Sequence, residues 1–514
     1  MTTSETMRPK RSMRVLLGVL QAVERAGNKL PHPFWLFTIM AGIVIALSVL
    51  LQALGAFAIS PADGERIEAR SLLSAEGVQV IVGDAIDNFA TFPPLALIIA
   101  VMLGVSVAER SGLLNAMLRG SVTRVPARWL TFVLALAGIT GSVASDAAYV
   151  VLIPLGALVF KAVGRSPILG LVVAFASISA GYDASLLITP TDAILAGLTT
   201  SAAQFIDPGY VVTPLSNYFF SAASAVFLAA LITVVTEFVL TRRTAGMVAD
   251  GEDAENELGA MELSADERRG LRNAGLVVLA AIAVIALALA PSGSPLRGPE
   301  GGILDSPVIT GVAYVLGILF LLAGVVYGRA VGTIRAPRDV PPAMAAGVRD
   351  LAPVIVLFFA ASQFLAYFKW TGIGEIIAIR GADLLDAAGV HPVALFVGFL
   401  VVVAIMNLLI TSGSAQWTLI APIFVPMFML LEVPPETTQA LFRIADSTTN
   451  VISPMSPYFV MALGLLQRYR KDAGIGTLMS LTLPLSITLL IGWSLFFIAW
   501  WALGIPLGPG VPVR

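Results

Sequence analysis

Long apolar runs separated by short charged clusters make up most of this 514-residue chain, and the lengths of the runs predict its elements. A helix needs about 20 apolar residues to cross the hydrocarbon core of a bilayer. Nine segments meet that length, near 33–57, 88–108, 167–200, 213–240, 274–290, 306–328, 350–370, 438–467 and 475–503. Two further blocks do not read as ordinary spans. The block 129–160 carries GSVASD at its middle, which leaves only about 13 to 15 apolar residues on each side, short for a crossing. A re-entrant hairpin fits it better. The block 393–430 is interrupted by TSGSAQ and is read the same way, although its left arm alone is long enough to span. The predicted fold is an all-α polytopic membrane protein with nine transmembrane helices and two opposed re-entrant hairpins.

The charged clusters orient these elements. With the basic N-terminus MTTSETMRPKRSMR in the cytoplasm, Asp63, Glu65, Glu68, Glu76, Asp84 and Asp87 fall outside, and Arg110, Arg119, Arg124 and Arg128 fall inside. If 129–160 returns to its own side, Lys161 and Arg165 stay inside. Later crossings put Asp207 outside, and Arg242, Arg243, Arg329, Arg335, Arg338, Arg468, Arg470 and Lys471 inside. This is the positive-inside pattern, and it leaves the C-terminus outside. Reading either block as two full spans would leave the sides unchanged, so block length and the polar middles carry the hairpin assignment. The domain plan is a cytoplasmic N-terminus 1–32, a first transmembrane half 33–243, a polar cytoplasmic linker 244–272, a second half 273–503 and a tail 504–514. The first apolar run is too long for a signal peptide and lacks a small-residue cleavage pattern, so it is read as a retained span.

Composition narrows the chemistry. The chain is 57% hydrophobic and 12% charged, with a mean hydropathy of +0.89, whereas a soluble domain averages about 25% charged residues. Nothing suggests a nucleic-acid role. The absence of cysteine excludes disulfides, thiolate metal sites and a cysteine nucleophile, and two histidines, His32 and His391, make a multi-histidine zinc site a poor reading.

The chain also resembles itself. Shifted by 268 positions, SDAAYVVLIP at 145–154 lies over GSAQWTLIAP at 413–422; shifted by 264, LITP at 187–190 lies over VISP at 451–454. The first hairpin enters from the cytoplasm and the second from outside, so the repeats are inverted. Inverted repeats interrupted at corresponding places point to a secondary transporter whose site lies at the midplane, where unwound backbone is tolerated only inside protein or beside a wet cavity.

Polar residues inside the apolar segments are the candidates for function. Arg443, Asp446 and Asn450 stand at i, i+3 and i+7, on one helical face just before the break at Ser453-Pro454. One reading is an Arg443 to Asp446 ion pair that holds helices together. The other divides the work: Arg443 clamps a substrate carboxylate, while Asp446 and Asn450 share a sodium ion with freed carbonyls, or Asp446 carries a proton. Asp146 at the first hairpin tip and Ser414 at the second hold equivalent repeat positions, although a tip that is only a cytoplasmic loop would leave Asp146 solvated. Asp183 and Asp192 flank the first break as either caps or ligands. Asn407 is inter-helix glue or a site ligand. Of the tryptophans, Trp35, Trp129, Trp370, Trp500 and Trp501 sit at segment ends and Trp493 within the last span; Trp417 follows the second tip, placed either to stack on an aromatic substrate or to pack against lipid.

The motifs SGSAQW with Asn407 before it, LFRIADSTTNVISPMSP, and SDAAYVVLIP in the first half resemble the aminobenzoyl-glutamate transporter (AbgT) family of the ion-transporter superfamily, over nearly the whole chain. The resemblance implies a homodimer in a bacterial inner membrane, and transport of p-aminobenzoyl-glutamate or export of sulfonamides coupled to sodium or protons, with no other cofactor. It places functional positions on Asp192, Asn407, Ser414, Trp417, Pro435, Arg443, Asp446, Asn450 and Pro454. Two other classes remain open on the residues alone. Asp183 and Asp446 are two membrane aspartates able to share a proton, as in an intramembrane aspartyl protease, although the second lacks a Gly-x-Gly-Asp context. A channel would pass ions without a driving gradient.

Overall fold

The computed structural model describes residues 31–514 except 60, 62–63, 124, 245–246, 248–261, 300 and 304. The N-terminus read as cytoplasmic, apart from Pro31 and His32, and most of the 244–272 linker therefore lie outside the described residues. Among the described residues, eight helices are long and apolar enough to cross a membrane. Seven are continuous spans: Pro33–Ala53, Pro93–Arg110, Tyr218–Thr244, Ala265–Leu289, Val312–Val331, Ala352–Trp370 and Ile475–Ala502. The two remaining predicted spans are each a pair of half-helices, Pro167–Ala180 with Pro190–Ala203, and Pro435–Asn450 with Pro457–Tyr469.

The eighth long helix is the rising arm of the first hairpin. Its α-helical part, Leu130–Thr140, is as short as the apolar count predicts, but 3-10 turns at both ends extend it to Ala127–Ala144, long enough to span. Length alone therefore does not make it re-entrant. The destination of its tip does: the chain reverses at Ser145 and returns as Asp146–Ala162, and the tip lies against Tyr458, the second residue after the break in the other half. The second hairpin, Pro392–Asn407 and Gly413–Met429, likewise brings its tip to Asp446. Each hairpin reaches only as far as a break. The repeat-equivalent Pro154 and Pro422 both lie inside returning arms.

Local chemistry explains the breaks. Thr189 caps the second half of the first broken span through a reciprocal capping box with Asp192, and Pro190 opens it where a missing N–H costs nothing. In the other half the helix restarts at Pro457, not at Pro454, which lies in the intervening turn. The returning arm of the first hairpin packs backbone to backbone on Pro167–Ala180. A Cβ added at Gly170 would stand 2.0 Å from the Gly156 carbonyl oxygen, the small-residue contact by which membrane helices approach.

Contacts between residues distant in sequence tie the basic clusters into one face. Arg110 pairs with Asp350 at 3.0 Å and Arg119 with Glu267; Arg165 pairs with Glu237 at 2.8 Å, and Arg243 donates to the Ser480 carbonyl at 2.9 Å. The opposite face carries elements that periodicity did not anticipate, a two-stranded hairpin of Phe57–Ile59 and Arg66–Glu68 and a helix Ile373–Ala387. Two short amphipathic helices, Leu113–Val122 and Val340–Asp350, were also unforeseen, each being shorter than a span. The helix expected at 274–290 begins at Ala265, inside the stretch read as linker, where Ser264 and Glu267 form a capping box. The tail is part of the fold: Leu507 and Val513 are buried, and Thr437 donates to the Val513 carbonyl at 2.7 Å.

Candidate functional site

Both breaks and the second hairpin tip converge. The Asp183 N–H donates to Ser447 Oγ at 3.0 Å, and that hydroxyl donates to Asp183 Oδ2 at 3.1 Å. These residues are 264 positions apart, the offset that superimposes LITP on VISP. Two repeat-equivalent residues in mutual contact lie on the axis that relates the halves, so the centre of the inverted repeat is the first break against helix Pro435–Asn450.

Beside that axis Asp446 meets the carboxyl group of Asp183 and the side chain of Asn450. Asn407 organises the surrounding turn. Its amide donates to the Asp446 carbonyl at 2.6 Å, Thr449 Oγ1 at 2.8 Å and Asn450 Oδ1 at 3.0 Å, so it ties the second hairpin to the broken helix. At the tip, a Cβ on Gly413 would lie 2.9 Å from Asp446 Oδ2, which is why glycine stands there. Asp183 Oδ1, Asp446 Oδ1 and Asn407 Oδ1 are buried without a hydrogen-bond partner. Two carboxyl groups in contact repel if both are charged, so the pair requires a shared proton or a cation. Sodium, a hard ion served by carboxylate and amide oxygens, fits this donor set. Among the described residues no group of three or more His, Cys, Asp or Glu is placed to hold a metal ion.

The Arg443 to Asp446 ion pair is not formed. Arg443 is buried and pairs at 2.6 Å with Asp192 Oδ1, and its second contact is the Asp183 carbonyl at 3.3 Å. Asp192 is fully engaged, since its other oxygen accepts from Thr189 N at 2.7 Å and Thr189 Oγ1 at 2.8 Å. This arginine and aspartate lock the two broken spans together across the repeat, and neither lines the central cavity.

That cavity, about 430 Å³, is bounded by Asp183, Asp446, Asn450, Ser414 and the second hairpin tip, within the volume range of small-molecule sites. Its aromatic wall is not Trp417. Trp417 is buried, donates from Nε1 to Thr199 Oγ1 at 3.0 Å and packs on Phe442 with ring centroids 4.5 Å apart, a strut between the second hairpin and Pro190–Ala203. Instead Tyr149 stacks on Tyr458 with ring centroids 4.0 Å apart and planes 6° apart, and both line the cavity with Tyr182 and Phe442. A signal for Tyr149 was present, because the 268-position shift places it on Trp417. Trp417→Phe is therefore expected to cost about 1.5–3 kcal/mol of stability, from one buried hydrogen bond and the cavity left by the smaller ring, with no change in the affinity of an aromatic substrate. Thermal unfolding and equilibrium binding check this, and a selective loss of affinity would return Trp417 to the substrate surface.

The other anticipated positions divide. Ser414 lines the cavity, and Asn450 and Asp446 do as well. Asp146 is exposed at its tip and accepts a hydrogen bond from Tyr458. Pro454 lies in the turn outside the lining. Pro435 opens the helix that carries Asp446, about 16 Å away at 1.5 Å per residue, so it shapes the far end of that helix.

Broken spans and opposed hairpin tips that meet around buried carboxylates and an aromatic cavity define a membrane transporter. Residues 18–514 match the sequence model of the AbgT transporter family. The chain belongs to that family. It is 38% identical over 493 residues to the p-aminobenzoyl-glutamate transport protein of Escherichia coli (strain K12), covering 96% of each chain. Its fold is similar to that of the Neisseria gonorrhoeae MtrF antimetabolite efflux pump, with a TM-score of 0.90 and 40% identity, covering 96% of this chain and all of that one. It is also similar to the Alcanivorax borkumensis YdaH transporter, with a TM-score of 0.88 and 41% identity, covering 93% of this chain and 100% of the other. The Asp183 and Asp446 pair has the adjacency a protease dyad would need, but the family and these relatives are transporters, so the protease reading is set aside.

Proposed function

We propose that this transporter moves p-aminobenzoyl-glutamate and related aromatic carboxylates, sulfonamide antimetabolites among them, across a bacterial inner membrane, driven by a cation bound at Asp183 and Asp446. The observation that carries the coupling is the contact between these two buried carboxyl groups beside the aromatic cavity. Asn450 and the backbone around the break supply the remaining oxygens when the ion is sodium; when it is a proton, the pair shares it. The Tyr149 and Tyr458 stack and Phe442 supply faces for a benzoyl ring, and Ser414 supplies a hydrogen bond at the hairpin tip.

The basic face is placed in the cytoplasm and the tail outside, by the positive-inside rule. The homodimer implied by family resemblance is part of this reading. Helix Ala265–Leu289 leaves Leu276, Leu279, Ile282, Val284 and Leu287 exposed to lipid or to a second copy.

The test is transport of labelled p-aminobenzoyl-glutamate, and of a sulfonamide, into proteoliposomes under separately imposed sodium and proton gradients. One of the two gradients is expected to drive accumulation against the substrate gradient. Flux that only dissipates a substrate gradient, whatever ion gradient is present, would indicate a channel and overturn the coupling.

A further inference from the structure

A second cavity of about 530 Å³ shares no lining residue with the central cavity, but two helices supply residues to both. One wall is half-helix Pro190–Ala203: Thr191 and Ile194 line the central cavity, while Ser201 and the following Gln204 line the second. Seven residues separate Ile194 from Ser201, two helical turns and about 10 Å along one face. The other wall is Ala352–Trp370, which gives Val354 to the central cavity and Lys369 and Trp370 to the second. Between these two sets of lining residues, Leu198 on the first helix and Leu357 and Phe358 on the second are buried, and Phe358 packs on Phe92.

The second cavity pairs cations with rings. The Arg70 guanidinium lies 4.6 Å from the Trp370 ring, and the Lys369 ammonium 6.0 Å from that of Phe205. Glu375 lies within electrostatic reach of both cations, and Asp84 also lines the cavity. Such a surface suits a ligand with a carboxylate for the cations, a ring for the aromatic faces and an N–H donor for the acids.

We infer that this second cavity is a recognition site for amine-bearing aromatic carboxylates, at the far end of the path that begins in the central cavity. The inference rests on the proposed substrate class and extends it to a site that neither the repeat nor the motifs indicate. Passage between the two cavities then requires the buried stretch around Leu198 to open.

The chain has no native cysteine, so single cysteines report each cavity without background. Ser201→Cys and Ile194→Cys are introduced separately and labelled in proteoliposomes with a membrane-impermeant maleimide applied from either side. Ser201→Cys is expected to react from the side opposite the basic face. Saturating p-aminobenzoyl-glutamate should slow that reaction roughly tenfold, the protection given by about 90% occupancy. Adding Arg70→Gln and Lys369→Gln, both at exposed side chains, should abolish protection at Ser201→Cys and leave it intact at Ile194→Cys. Protection at Ile194→Cys with none at Ser201→Cys, or protection at Ser201→Cys that survives both charge substitutions, overturns the second site alone. Protection at neither position overturns the substrate class on which both sites rest.

Discussion

Replacing Arg443 with alanine is expected to destabilise the protein by about 3–5 kcal/mol, because it leaves a buried aspartate without its counterion, and to abolish transport. Asp192 cannot turn elsewhere: one of its oxygens is held by the Thr189 cap and the other faces the missing guanidinium. Neutralising both partners separates stability from recognition. Arg443→Gln with Asp192→Asn should recover most of the lost stability, since removing a buried pair together is far less costly than breaking it. If Arg443 positions the broken spans, that double variant also binds p-aminobenzoyl-glutamate with near-native affinity. Thermal unfolding with equilibrium binding decides it, and a stable double variant that no longer binds would put the arginine back on the substrate.

The second large effect is expected at the carboxyl pair. Asp183→Asn and Asp446→Asn keep size and hydrogen-bonding capacity while removing the charge that retains a cation. Each should lower cation-driven transport about 5–150-fold, the span of a coupling free energy of about 1–3 kcal/mol. Neither should lower the unfolding temperature, because an amide is less costly to bury than a carboxylate. Transport assayed at varied sodium and at varied pH in both variants would identify the ion. An unchanged ion dependence in both would remove the pair from coupling.

Much of the fold was legible along the chain because the bilayer imposes it: spans must be long and apolar, and any interruption must be compensated inside the protein. The interruptions at GSVASD, Thr189-Pro190, TSGSAQ and Ser453-Pro454 therefore stood out, and each falls at a hairpin tip or a break. Amphipathic pieces such as Leu113–Val122 were not legible, since a helix that crosses nothing carries no length requirement. The central site was legible in part. Asp446 and Asn450 were marked by polarity in an apolar setting, whereas Tyr149 was marked only by its alignment with Trp417 and Tyr458 looked like an ordinary helix aromatic.

The chain by itself determined the apolar segments, their interruptions, the inverted repeat and the set of polar residues held in lipid, because each follows from local length, polarity and self-similarity. Only the tertiary structure decided the partners. Arg443 stands one turn from Asp446 on its own helix, yet its side chain reaches across the repeat to Asp192, and Asp446 turns to Asp183. Periodicity specifies which face of a helix a side chain occupies; the partner it meets there depends on how the two halves pack around their shared axis.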